Sequence, residues 1–254
     1  MNTGGRDPEP FEIEIAALSD TGTERGHNED HCGKYIKSPT SGLVAVADGM
    51  ATFEGGDLAS QRAIVGLQRS FRELAPGMSQ VQRLVRAARQ ANYEVYDMVV
   101  IVPQLRGMST TLTAVAVTDG QMTAAHVGNS RVYLIRDGFI NQLSKDHTVA
   151  AEAAARTGQH AARGNDVLTR SLGQELLVPI DLFEIDLIQG DVVVACTDGL
   201  YRVLEDAEIA EIAKGLDAGS VCRRLIDEAN LVGTIDNLTV AVVRMVGETP
   251  GIRR

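Results

Sequence analysis

The 254 residues are enough for one large domain or two small ones, and a 44% hydrophobic content supports a real core. Aromatic residues make up only 4% and Trp is absent, so that core must rest on Val, Leu, Ile and Ala. A net charge of −10, with 34 acidic against 24 basic residues and no Lys/Arg run longer than two residues, argues against nucleic acid as a partner. An acidic chain can still bind cations where its carboxylates cluster.

Residues 1–10 are polar and rich in Gly and Pro and read as a loose tail; they have neither the basic nor the apolar region of a signal peptide. Strand composition then recurs at Phe11–Leu18, Leu43–Ala47, Thr111–Thr118, Met122–Val127, Arg131–Arg136, Val192–Thr197 and Leu238–Met245. Many of these runs are apolar on successive residues, which predicts cover on both faces. Between the second and third runs the spacing predicts two long helices. One carries Ala59, Ala63, Leu67, Phe71 and Leu74 on one face, the other Val81, Leu84, Val85, Ala88, Val95, Met98 and Val99. Thr118–Gln121, Val127–Ser130 and Arg136–Gly138 read as turns within a meander. A third helix pattern, through Val221, Leu225, Ile226 and Ala229, precedes the last strand, and 248–254 read as a second tail.

An α+β fold of paired sheets packed face to face, with helices outside, would satisfy this order. No linker or repeat interrupts it, so a single domain over 11–247 is expected. Cys32, Cys196 and Cys222 are odd in number and lack a CxxC spacing, as expected of reduced thiols in a cytoplasmic protein. The longest apolar runs, such as Val192–Cys196, are too short to span a membrane, and no interface stripe stands out, so a monomer is expected.

Three carboxylates share one context. Asp48 and Asp198 each follow an apolar strand and precede a glycine; Asp236 and Asn237 precede the last strand. Each is carried by a rigid element to a sheet end. Three such groups brought together would repel one another unless a cation neutralised them, and oxygen-only donors favour Mg²⁺ or Mn²⁺. A lone Asp-Gly is more often a turn, the reading we give Asp119-Gly120 and Asp137-Gly138. A fourth acidic segment, Ser19–Asp30, sets Arg25 close to Glu29 and Asp30, and a guanidinium beside a metal cluster suits a phosphate. A surface loop with a local ion pair is the blander alternative. His27, His31, His126, His147 and His160 show no ligand spacing and read as structural or solvated.

Six blocks then fall in one order: SDTGTERGHNED, VAVADGM, MSTTLTAVAV with HVGNSRVYLIRDG, DHT with VLTRSLG, VVVACTDGL, and GTIDNLTVAVV. Over residues 11–246 the sequence resembles the metal-dependent, type 2C protein phosphatases, and is most similar to their compact bacterial members. The resemblance implies a protein serine/threonine phosphatase that hydrolyses phosphoserine and phosphothreonine by a metal-bridging hydroxide at a two-metal centre. It implies the family's four-layer α-β-β-α sandwich, with two central antiparallel β-sheets flanked by helices, and Mn²⁺ or Mg²⁺ as cofactor, two ions per subunit. Asp48 would bridge the ions, the Gly49 carbonyl would bind one of them, and Asp198 and Asp236 would complete the first. Glu29 and Asp30 would hold the second, mostly through water, and Arg25 would bind the substrate phosphate. Phosphorylated proteins are the implied partners, a Ser/Thr kinase or its targets among them.

The sequence departs from the family pattern in three places. Asn129 stands where the family has an Asp, so a third metal site at Asn129 and Asp198 is expected to be weak or empty. The usual Met-Gly-Gly-His is Met50-Ala51-Thr52-Phe53, and the segment 148–166 is short and Ala-rich. Asn129 and the altered Ala51–Phe53 stretch support an alternative, a pseudophosphatase or binding module with weak or no turnover. The retained Asp48, Asp198, Asp236 and Arg25 disfavour it.

Overall fold

The computed structural model describes residues 11–51, 55–73, 77–158 and 167–247. The expectations for the two tails, Thr52, Phe53, Leu74, His160 and the latter part of 148–166 lie outside these residues. The strands are β1 (Glu12–Asp20), β2 (Asp30–Ser38), β3 (Ser41–Met50), β4 (Ser109–Thr110), β5 (Leu112–Thr118), β6 (Gln121–Val127), β7 (Arg131–Arg136), β8 (Phe139–Gln142), β9 (Asp181–Asp186), β10 (Val192–Cys196) and β11 (Leu238–Val246). The helices are α1 (Gly56–Glu73), α2 (Gln80–Ile101), α3 (Val149–Thr157), α4 (Asp198–Tyr201), α5 (Asp206–Ile212) and α6 (Ala218–Val232). Among the described residues no helix is long and apolar enough to cross a membrane.

Two antiparallel sheets lie face to face, one in the order β1-β11-β10-β7-β8, the other β2-β3-β5-β6-β9 with β4 paired to β3. The near-continuous apolar runs follow from this layering. In β3, Val44 and Val46 point between the sheets and meet Val193, Ala195, Ala241 and Val243. Their neighbours Leu43, Ala45 and Ala47 face outward and pack under α1 and α2. The other sheet repeats the pattern, with Val192, Val194, Val240 and Val242 packed under α5 and α6. An alternating strand can be apolar throughout only where both faces are covered, as here.

Local chemistry sets the element ends. Ser79 and Gln82 form a reciprocal capping box at the start of α2. Asp217 accepts from the Ser220 amide at the start of α6, and Gly233 ends that helix at φ +98°. The β5–β6 and β7–β8 turns place Asp119 and Asp137 at φ +49° and +52°, each followed by a glycine at positive φ, as the turn reading of these two Asp-Gly pairs requires.

Four strands lie beyond the seven read from the sequence. β2 and β9 are the edges of the second sheet, β8 is an edge of the first, and β4 is a two-residue bridge. In β9 intermediate and exposed residues alternate, and β2 has only Asp30 buried, so neither carries an apolar run. The segment expected to end as a strand at Thr197 turns directly into α4, with Thr197 as its cap.

Candidate metal and phosphate cleft

The antiparallel order delivers the polar residues to one edge of the sandwich. β1 ends where β11 begins (Asp20 opposite Leu238), and β10 ends beside the start of β7 (Cys196 opposite Arg131). On the other sheet β2 begins where β3 ends, placing Asp30 opposite Asp48. Asp48 shares the inward parity of Val44 and Val46, so its carboxylate continues the inter-sheet face to the open end. There a cleft of about 290 Å³ is lined by Arg25, Glu29, Asp48, Gly49, Met50, Ala51, Asn129, Leu168, Asp198, Arg202, Asp236 and Asn237.

The backbone under Asp48 is fixed from both sides. Its amide donates to Thr111 Oγ1 at 2.9 Å, and its carbonyl accepts from the Thr111 amide at 2.9 Å and from Thr110 Oγ1 at 2.8 Å. The glycines after Asp48 and Asp198 do different work from those in the hairpin turns: neither has a positive φ. A Cβ on Gly49 would collide with the Gly56 carbonyl and the Glu29 backbone, and one on Gly199 with the Asn237 carbonyl. These glycines let two backbones approach, which brings the Asp48 and Asp236 segments close to their neighbours.

Arg25 is not paired locally. Its Nη2 lies 2.9 Å from Asp236 Oδ1, across the cleft mouth, with half of the Arg25 side chain exposed. Asn237 holds its loop in place: Nδ2 donates to the carbonyls of Thr21 (2.8 Å) and His27 (2.9 Å), and Oδ1 accepts from the Glu29 amide (2.9 Å). Sequence reasoning had Asn237 only as the neighbour of Asp236. The structure makes it the clamp that presents Arg25 and Glu29.

Asp30 occupies a different place from Glu29. It is 4% exposed and lies beneath the cleft without lining it, accepting from Thr197 Oγ1 at 2.7 Å. Burial, reinforced by the charges of Asp198 and Asp236, pushes its carboxyl up to about 7, although Thr197 and Thr239 donate to it. Asp48 is held well above the usual carboxylate range by burial and then by Asp30, Asp198 and Asp236, while Arg202 acts in the opposite sense. Asn129 and Asp198 come together: Asn129 Nδ2 donates to Asp198 Oδ2 at 3.0 Å, and Arg202 Nη2 reaches the same oxygen at 2.7 Å.

Among the described residues no three acidic or imidazole groups stand close enough to enclose an ion as placed. The donor set nevertheless suits a hard divalent cation: every candidate is oxygen, and burial with neighbouring carboxylates raises Asp30 and Asp48.

Among the described residues the histidines form no ligand set. His126 and His147 stack at 4.8 Å between ring centroids beside the Gly128–Asn129 turn. His126 donates from Nε2 to the Lys145 carbonyl and bonds Thr113 through Nδ1; His147 Nδ1 accepts from the Gly128 amide while Nε2 meets Asp181 at 3.1 Å.

The family model described as Protein phosphatase 2C matches residues 23–227. The chain is 32% identical over 235 residues to the serine/threonine phosphatase stp of Listeria innocua, covering 89% of this chain and 93% of the relative. Among solved structures, the Mycobacterium tuberculosis serine/threonine phosphatase PstP/Ppp superposes with a TM-score of 0.82 at 31% identity, covering 93% and 100% of the two chains. The catalytic domain of PstP in complex with two manganese ions superposes with a TM-score of 0.80 at 32% identity, covering 93% and 99%.

Proposed function

The chain belongs to the protein phosphatase 2C family and is a phosphoprotein phosphatase; from that premise we propose that it removes phosphate from phosphoserine and phosphothreonine at a centre of two divalent cations, Mn²⁺ or Mg²⁺. The observation that carries this reading is that Arg25, Glu29, Asp48, Gly49, Asp198 and Asp236, drawn from four separate stretches of chain, line one cleft. Asp48, Asp198, Asp236 and the Gly49 carbonyl would hold the ions, with Glu29 at the rim and Asp30 below. Bound there, such cations supply Lewis acidity, activating water for attack on phosphorus and offsetting the charge of the phosphoryl oxygens.

The chain's own part is positioning. Asp48 sits on a backbone held by Thr110 and Thr111, so its carboxylate is aimed before anything binds. Arg25 is presented on a loop clamped by Asn237 and pairs with Asp236 across the cleft mouth. An exposed pair of that kind is weak, so turning Asp236 toward cations costs little and releases the guanidinium fork to two phosphate oxygens. The three thiols are not needed as nucleophiles. Burial raises Cys32 to about 11 and pushes Cys196 higher still, so both stay protonated.

The test is phosphate release from phosphoserine and phosphothreonine peptides with Mn²⁺ or Mg²⁺, with EDTA, and with the metal restored. We expect turnover that EDTA abolishes and Mn²⁺ returns. Binding of phosphopeptides with no turnover, and none of p-nitrophenyl phosphate, would instead favour the pseudophosphatase reading.

A further inference from the structure

Arg202 lies in the cleft without a part in the function above. It follows Asp198 by four residues, and its guanidinium folds back to Asp198 Oδ2 at 2.7 Å. That oxygen also accepts from Asn129 Nδ2 at 3.0 Å. The Asp198 side chain is 8% exposed and that of Arg202 41%, so the pair closes one wall of the cleft from its rim. Asn129 is itself fixed. Tyr201, between Asp198 and Arg202, donates its hydroxyl to the Asn129 carbonyl at 2.9 Å, and the Arg131 guanidinium stacks on the Tyr201 ring at 3.7 Å from its centroid. One helical turn, Asp198 to Arg202, therefore holds the neutral Asn129, the charged Asp198 and a permanent cation in one arrangement.

We propose that Arg202 is a resident counter-cation: at Asp198, on the Asn129 side, it occupies the place that a further divalent ion would need. This rests on the reading of the cleft as a divalent-cation centre. A carboxylate has two oxygens, so Asp198 can serve the resident ions with one while Arg202 and Asn129 keep the other. Arg202 is thus a positioning residue that fixes how many ions the cleft takes. Restoring charge at Asn129 is then not enough to create a third site, because a carboxylate at that position gains Arg202 as its partner.

The experiment is Mn²⁺ binding by calorimetry and by equilibrium dialysis with elemental analysis, on the wild type, Asn129→Asp, Arg202→Gln, Arg202→Lys and the Asn129→Asp/Arg202→Gln double variant. We expect Asn129→Asp to bind as many ions as the wild type and the double variant to bind one more. Arg202→Gln alone should bind the resident ions roughly fivefold more tightly, since a positive charge leaves their vicinity; Arg202→Lys should stay near wild type. An additional ion in Asn129→Asp alone, or no additional ion in the double variant, overturns the proposal and leaves the metal centre standing. No Mn²⁺ binding by the wild type overturns both.

Discussion

Two clusters of buried or half-buried polar groups meet at the same edge of the sandwich, and they are built on opposite principles. In the cleft, burial and the neighbouring carboxylates, Asp198 and Asp236 among them, raise Asp30 and Asp48, and the guanidinium groups of Arg25 and Arg202 reach in from the rim. Beside it, under the Gly128–Asn129 turn, His126, His147, Asp181 and Arg170 are complementary. Arg170 meets Asp181 at 2.7 Å, His147 links Asp181 to the Gly128 amide, and His126 fills the remaining space with both ring nitrogens bonded. Asp181 is drawn below the usual carboxylate range despite its burial, because His147 and Arg170 donate to it. A cluster that satisfies itself holds structure. One that cannot is a demand for something from outside, and here that demand is for cations.

The comparison breaks most sharply at Asp48. Asp48→Asn should lower turnover at least about a hundredfold by removing a central ligand charge. In EDTA the same variant should melt no lower than wild type, because it also removes a repelled charge. A metal-free melting temperature well below wild type would mean that the carboxylate is structural.

Arg25→Ala comes next. A charge-assisted fork to phosphate is worth about 1.5–3 kcal/mol, so kcat/KM for a phosphopeptide should fall about 10- to 100-fold. Mn²⁺ affinity should change little, since Arg25 leaves only an exposed pair with Asp236. Unchanged kcat/KM would return Arg25 to the role of a surface-loop ion pair.

In the self-satisfied cluster the order of effects should invert. His126→Leu leaves Thr113 Oγ1 and the Lys145 carbonyl without their partner and should cost roughly 1–3 kcal/mol of stability in urea unfolding. Its effect on kcat at a temperature where it stays folded should be smaller than that of Arg25→Ala. A variant with wild-type stability and a large loss of kcat would make His126 part of the chemistry.

The last contrast is in pH dependence, where the two clusters carry opposite signs. Burial lowers His126 to about 4, so between that value and 6.5 the unfolded chain binds more protons, and stability is lost as pH falls. Asp30 is raised to about 7, so between 3.8 and that value the folded chain binds more protons, and stability is lost as pH rises. In EDTA, Asp30→Asn should therefore gain on wild type as pH goes from 5 to 8, by roughly 1–3 kcal/mol. His126→Gln should show a weaker acid destabilisation than wild type over pH 6.5 to 4. Parallel stability curves for wild type and both variants would show that neither group titrates as its surroundings dictate.

Much of this was legible in the chain itself. The seven apolar runs and the periodic faces of α1, α2 and α6 appear because burial writes a period into the residues it covers. Asp48, Asp198 and Asp236 stood out because each adjoins such a run. β2 and β9 were not legible, since an edge strand facing solvent has no apolar run to show. The turn reading was right for Asp119-Gly120 and Asp137-Gly138, whereas for Asp48-Gly49 and Asp198-Gly199 the reason for the glycine lies in a backbone elsewhere in the chain.

The sequence alone determined the composition of the cleft: which carboxylates are present, that every donor is oxygen, and that Asn129 is uncharged. The tertiary structure decided how they are partnered. Arg25, beside Glu29 and Asp30 in sequence, answers to Asp236; Asp30 goes under the cleft while Glu29 stays at its rim; Asn237 becomes a clamp. The Asp198–Arg202 spacing was visible in the chain, but its meaning depended on a helix starting at Asp198 and on Asn129 arriving from another strand end. Local spacing can encode a period, because period is a property of one element. Pairing across the cleft depends on antiparallel strands returning distant residues to one edge, and no single stretch of sequence contains that distance.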